Sequence, residues 1–275
     1  MFLLHTRRQW LFIVLLALVA VTLSAQTQTT KPFEPTSGQP GKDVVWVPTP
    51  QALVDKMLDL TKVTSSDYVM DLGSGDGRTV ITAAKRGATA LGVEYNPDMV
   101  ALSQRNATRE GVANRATFVK ADLFETDFSK ATVVTMFLLP SINITLRPKL
   151  LDMRPGTRIA SNSFDMEDWQ PDETATIPAC TQWCRALLWI VPAKVQGSWR
   201  SPQGEIALTQ KFQVLSGTLS AGGAKDAIEG KLSGDQITFK TARAQYSGRV
   251  NGDMMSGTVT SAGATSSWQA TRVSK

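Results

Sequence analysis

Between Thr49 and Pro192, short apolar runs of strand length alternate with segments whose apolar residues recur at helical spacing. No other feature of the 275-residue chain constrains its fold as tightly. Strands and helices in strict alternation close into a parallel sheet with helices on both faces. Thr49 is placed to cap a helix with Pro50 at its first position, and Leu53, Val54, Met57, Leu58 and Leu60 follow near helical spacing. "YVMDL" reads as a buried strand, 79–86 as a helix ending near Gly87, and "ALGVE" (90–94) as the second strand. A helix over 97–110 stops at Gly111, where glycine supplies the left-handed cap. "ATFVKAD" (116–122) and "ATVVTMF" (131–137) give strands three and four, 146–151 ends a further helix, and "TRIASNSF" (157–164) gives strand five. "TATIPACTQWCRALLWIVP" then places two apolar runs around a short polar turn with no helix between them, which predicts an antiparallel hairpin closing an α/β sheet.

The turn after the first strand, "DLGSGDGR", fits neither of two common phosphate loops. A nucleotide P-loop needs Gly-Lys-Ser/Thr after four spacers, and no such triplet is present. A dinucleotide fingerprint needs G-x-G-x-x-G, but the sixth position is Arg78 counted from Gly73 and Val80 counted from Gly75. What remains is an acid followed by Gly73, Gly75 and Gly77, a turn whose backbone passes close to a ligand while the next helix points amide donors at it. Asp71, at the strand end, would repel a pyrophosphate and attract a ligand carrying an ammonium and a sulfonium. S-adenosylmethionine is such a ligand. Glu94 ends the second strand, where a carboxylate accepts from both ribose hydroxyls, and Asp122 ends the third, where it accepts from the adenine amino group. A single surface acid or glycine turn is ordinary. Three acids at the carboxyl ends of three successive strands line one crevice, where open α/β sheets bind ligands.

With these motifs, residues 46–192 resemble the class I S-adenosylmethionine-dependent methyltransferases, whose first motif has the form "DLGSGDGR". "WVPTPQALVDKML", "GVEYNPDMVALSQRNA", "KADLFETDFSKATVVTMFLLPSIN" and "IASNSFDMEDWQPDET" are similar to the small protein-lysine methyltransferase branch, which has bacterial and membrane-anchored mitochondrial members. The resemblance implies a Rossmann-like sheet. It also implies that Asp71, Gly73, Ser74, Gly75 and Gly77 wrap the methionine part, that Glu94 and Tyr95 meet the ribose, and that Asp122 and Leu123 meet the adenine. Val47, Pro48 and Thr49 would lie across the site, and "FLLPS" (137–141) would face the methyl group and the acceptor. That segment lacks the Asn/Asp-Pro-Pro-Tyr form of enzymes that methylate exocyclic base amines and glutamine. A lysine acceptor must lose a proton before attack, and Asp165, Asn162 and Phe137 are the candidates to assist by charge, hydrogen bonding or desolvation. "SNSFD" equally reads as a strand end capped for structural reasons. The implied acceptor is a protein, membrane-associated or not, with a small molecule as the alternative. A binding module that retains the methyltransferase fold is a further alternative.

The N-terminus carries a different signal. Arg7 and Arg8 precede an apolar stretch over 10–23 that ends in small residues, the form of an export signal. It is shorter than the ~20 residues a spanning helix needs, so cleavage after about residue 25 competes with anchoring by residues 10–25. "TRRQWLF" resembles a twin-arginine signal, and both readings place the remainder of the chain outside. His5, the only histidine, leaves with a cleaved signal, which excludes His-based triads and most zinc sites from the mature protein. Residues 26–45, rich in Thr, Gln and Pro, read as a flexible linker. The 29 basic residues against 24 acidic ones form no cluster, so charge gives no argument for nucleic acid.

Composition shifts again after Pro192. From 195 to 275 apolar residues alternate and glycines recur, with "IEGKLSGDQITF" echoed 18 residues later by "YSGRVNGDMMSG". Gly-Asp turns at this period predict an antiparallel β-meander or small barrel. Cys180 and Cys184 fall in the proposed hairpin, as a disulfide in an exported protein or as two thiols. Two cysteines are too few for a structural zinc site.

Overall fold

The computed structural model describes residues 32–274. The export-signal stretch with His5, and the linker up to residue 31, lie outside the described residues. Helix α1 (Gln51–Leu60) leads into β1 (Tyr68–Leu72), α2 (Arg78–Lys85), β2 (Thr89–Glu94), α3 (Pro97–Arg109), β3 (Ala116–Lys120), β4 (Val133–Met136), α4 (Pro140–Leu151) and β5 (Arg158–Asn162). The hairpin β6 (Glu173–Thr176) and β7 (Arg185–Ile190) closes the sheet. Strand order is β3-β2-β1-β4-β5-β7-β6, with β7 antiparallel to both its neighbours and all other pairs parallel. This is the expected Rossmann-like methyltransferase sheet. The order reverses between β1 and β4, so a crevice opens beyond their carboxyl ends, where Asp71 sits.

Alternate residues of each central strand feed opposite layers. Val69 and Val133 pack with Val54, Leu58 and Val80 on one face. Met70, Leu72, Val134 and Met136 pack with Ile142, Leu146 and Leu150 of α4 on the other. One local expectation changes. Pro50 itself is the N-cap of α1, and Thr49 makes no capping bond because its hydroxyl accepts from the Asn162 amide at 3.2 Å.

The linker also departs from the free tether that its composition predicts. Gly38 N donates to Trp46 O at 2.8 Å and Trp46 N donates to Gln39 O at 2.9 Å, so residues 38–46 form a closed loop. Few of its residues are apolar, but those few are placed to pack: Val44 lies against the α4-side core.

The C-terminal segment is a closed eight-stranded antiparallel barrel: β8 (Gly197–Ser201), β9 (Gly204–Lys211), β10 (Val214–Ala221), β11 (Ala224–Ser233), β12 (Gln236–Lys240), β13 (Ala244–Asn251), β14 (Met254–Ser261) and β15 (Ala264–Ser274). Its alternating side chains fill the interior with Trp199, Ile237, Met255 and Trp268. The 18-residue echo is structural: Asp235 and Asp253 follow Gly234 and Gly252 in the β11–β12 and β13–β14 turns and accept from Arg249 and Arg272. The barrel is docked on the sheet domain. Phe212, in the β9–β10 turn, stacks on the buried Trp169 with ring centroids 5.8 Å apart, and the Arg147 guanidinium lies over its ring. Ala193 N donates to Gly234 O at 2.8 Å. No described helix is long and apolar enough to cross a membrane.

Candidate functional site

The glycine turn is held from behind. Gly73 N and Ser74 N both donate to Val93 O of β2, at 2.9 and 3.0 Å. From α3, the Ser103 hydroxyl donates to Gly75 O at 2.8 Å and the Asn106 amide donates to Asp76 O at 3.0 Å. These bonds fix the loop so that its other face lines the cleft. Gly77 has φ +82°, and a Cβ there would stand 2.7 Å from the Phe118 ring. At Gly75 (φ +54°) a Cβ would meet Trp46 Nε1 at 2.5 Å. The lead-in indole is therefore laid directly on the turn. Arg78 joins the same parts, pairing with Asp76 at 2.6 Å and donating to Thr49 O at 2.8 Å.

The three strand-end acids converge on this cleft. Asp71 is buried and accepts from the Thr135 hydroxyl at 2.6 Å. Desolvation pushes its carboxyl up to about 7. The Thr135 bond opposes that rise, while the negative charges of Glu94 and Asp76 add to it. Among the described residues no basic side chain pairs with it. A cation placed beside such an acid would favour its ionised form and offset the cost of burial. Glu94 accepts from Gly75 N at 3.0 Å and from Asn96 N at 2.9 Å, which orients its carboxylate along the cleft. The Ser74 hydroxyl is buried and has no partner among the described residues. This donor and acceptor set fits S-adenosylmethionine: an unneutralised acid for the cationic end, a fixed carboxylate for the ribose, and a glycine floor admitting close approach.

Beside Asp122 the structure adds a residue that sequence reasoning missed. Lys42 Nζ reaches Asp122 Oδ2 at 2.5 Å and lies 5.1 Å from the Tyr95 ring centroid and 5.8 Å from that of Phe124. The ion pair, with Phe124 N donating to Oδ1, holds the Asp122 carboxyl below its usual range, and Asp122 raises the Lys42 ammonium. Tyr95 is nearly half exposed beside it, and Leu123 packs against the core. Trp46 and Arg78 were also missed. An Arg two places after Asp76 signals a local pair, but the reach of Lys42 across 80 residues leaves no trace in sequence.

The three candidate acceptor-side residues separate. Phe137 lines the cleft with Leu138, Ile142 and Met57. Asn162 is fully buried, and its side chain is spent on Thr49 and on the Ser163 hydroxyl at 2.9 Å. It positions the lead-in and the β5 end and does not face the cleft opening. Asp165 is exposed, lies outside the cleft lining, and accepts from Glu167 N at 3.2 Å in a turn. The two cysteines form a disulfide between Cys180 and Cys184. No cluster of potential metal ligands occurs among the described residues.

Comparison with known proteins gives the same fold and cofactor class. A family model described as the ANTKMT methyltransferase domain matches residues 71–173. A protein-lysine N-methyltransferase from Saccharolobus islandicus (strain REY15A) is 46% identical over 137 residues, 49% of this chain and 85% of that protein. The adenine nucleotide translocase lysine N-methyltransferase of Mus musculus is 36% identical over 120 residues, 43% of this chain and 52% of its own length. Among solved structures, an RNA methyltransferase from Salinibacter ruber in complex with S-adenosyl-L-homocysteine is 45% identical, with a TM-score of 0.51 over 54% of this chain and 96% of that one.

Proposed function

We propose, for a chain that belongs to the S-adenosylmethionine-dependent methyltransferases of the protein-lysine branch, that the methyl acceptor is a lysine side chain of a protein at or near a membrane. The observation that carries the lysine part of this reading is the 46% identity to a protein-lysine N-methyltransferase across 85% of that relative's length, and the apolar N-terminal stretch over 10–23 supports the membrane part. Bound S-adenosylmethionine supplies an activated sulfonium methyl, so transfer needs mainly alignment and exclusion of water. Asp71 and the glycine turn hold the cationic end, Glu94 the ribose, and Asp122 the adenine. Met57, Phe137, Leu138 and Ile142 form the apolar side of the cleft. An ammonium entering along that side is desolvated, which lowers its pKa and releases its proton to solvent.

A second reading, RNA as acceptor, has one observation behind it: the Salinibacter ruber neighbour at 45% identity. One experiment separates the two. The full chain is incubated with methyl-labelled cofactor and a membrane extract, and label is expected in material that protease destroys and ribonuclease spares. Ribonuclease-sensitive label would establish the second reading, and label confined to lipid or small molecules would overturn both.

We further infer that the enzyme is exported, or held outside by residues 10–25. The Arg7-Arg8 head with its apolar stretch supports this, as does the Cys180–Cys184 disulfide, a bond that persists in oxidising compartments. A reporter fused after Lys275 should behave as exported, and a cytosolic signal would reverse the assignment.

A further inference from the structure

Beyond the cleft, the disulfide closes a short loop whose product is one exposed ring. Cys180 and Cys184 both pack against the small core cluster that contains Leu53, Met57 and Ala186, so the loop is rooted in the core at both ends. Between them Trp183 sits at φ +57° and is 36% exposed. A bulky residue in the left-handed region is a backbone outlier, and such outliers cluster where a side chain must be presented. Trp183 is presented to two more rings. Its centroid lies 5.6 Å from Phe137, edge-on, and 5.1 Å from Phe164, while Phe137 and Phe164 stack at 5.9 Å.

Each ring is fixed by a separate device. Phe137 follows β4 and lines the cofactor cleft. Phe164 is held through its own carbonyl, which accepts from the Ser161 hydroxyl at 2.7 Å and from the Asn143 amide at 3.2 Å. Trp183 is held by the disulfide loop. The result is an aromatic wall that runs from solvent to the cleft, with exposed Asp165 next to Phe164 in the chain. Aromatic faces attract alkylammonium groups and bury their methylenes, and the attraction grows as water is removed. A cationic side chain travelling along this wall arrives at the cleft beside Phe137.

We propose that Phe137, Phe164 and Trp183 form the acceptor-binding wall, that its ligand is an alkylammonium side chain, and that the Cys180–Cys184 disulfide is a positioning device for Trp183. The proposal deepens the lysine reading and rests on it. Two measurements on the full chain test it. In the first, the indole N–H resonance of Trp183, assigned with Trp183→Phe, is followed by NMR while butylammonium or its neutral isostere butanol is added. Butylammonium should shift it saturably and butanol should not; no shift, or equal shifts, overturns the wall. In the second, labelling of the membrane extract is compared at saturating cofactor. Trp183→Ala should lower labelling at least tenfold, Trp183→Phe should retain more than a third, and the double variant Cys180→Ser/Cys184→Ser should fall between them. Cofactor Kd should stay within twofold throughout. Labelling by Trp183→Ala within twofold of the parent overturns the proposal, as does an equal loss in Trp183→Phe. If the parent chain labels no protein, the lysine reading fails by itself, and the butylammonium titration still decides whether the wall binds a cation.

Discussion

Replacing Asp71 with asparagine should stabilise the ligand-free protein while abolishing its hold on the cofactor. Burial favours the neutral carboxyl, so its contribution to stability is fully present below the unfolded value of 3.8 and is lost as pH rises through about 7. Moving a carboxyl over that interval corresponds to about 4 kcal/mol at pH 8 and about 2 kcal/mol at pH 5. Asparagine keeps an oxygen for the 2.6 Å bond from Thr135, and the Thr79 hydroxyl can turn to accept from the new amide. The substitution therefore removes the buried charge and leaves the packing in place. Urea denaturation of parent and Asp71→Asn without cofactor should show the variant more stable by up to about 4 kcal/mol at pH 8, with the gap narrowing towards pH 5. Calorimetric titration should show cofactor affinity at least tenfold weaker in the variant. In the parent, where only the ionised form suits a cation, affinity should fall about tenfold between pH 8 and pH 6. A variant no more stable than the parent at pH 8, or a pH-independent gap, would refute the assignment of a strained, cation-seeking acid.

Further perturbations address the rest of the cleft and its support. Lys42→Ala frees the Asp122 carboxylate, which on the proposed assignment then accepts from the adenine amino group without a competitor; for a part-exposed pair the gain in cofactor affinity should be about threefold, read by calorimetry. Glu94→Gln keeps an acceptor for only one of Gly75 N and Asn96 N and loses the charge assigned to the ribose, and should weaken cofactor binding about tenfold while lowering the melting temperature by a few degrees. Trp169→Ala empties a fully buried site at the junction of sheet and barrel and should cost about 3–5 kcal/mol in denaturant titration. Phe212→Ala should cost less and split one unfolding transition into two, since its ring joins the domains.

The sheet was legible because period and punctuation agreed: apolar strands, helices ending at glycine, and acids at successive strand ends all specified one layer order. The cofactor cleft followed, since Asp71, Glu94 and Asp122 owe their convergence to strand position alone. The residues that escaped were placed by long-range pairing. Lys42 stands in a segment whose composition predicts no core, and its place is set by Asp122 together with the Tyr95 and Phe124 rings. Asp165 shows the converse, a residue whose place is set by a local turn outside the cleft lining. Its type suited proton transfer, but a local turn takes its carboxylate away from the cleft. Thr49 shows how little separates a cap from a tie: one residue of shift in α1 frees its hydroxyl for Asn162.

Phe212 leans into the apolar layer of the neighbouring sheet domain, and that anchorage removes a degree of freedom. At this turn the barrel shares its packing with the sheet domain, so a loss of side-chain volume on either side of the junction is felt by both.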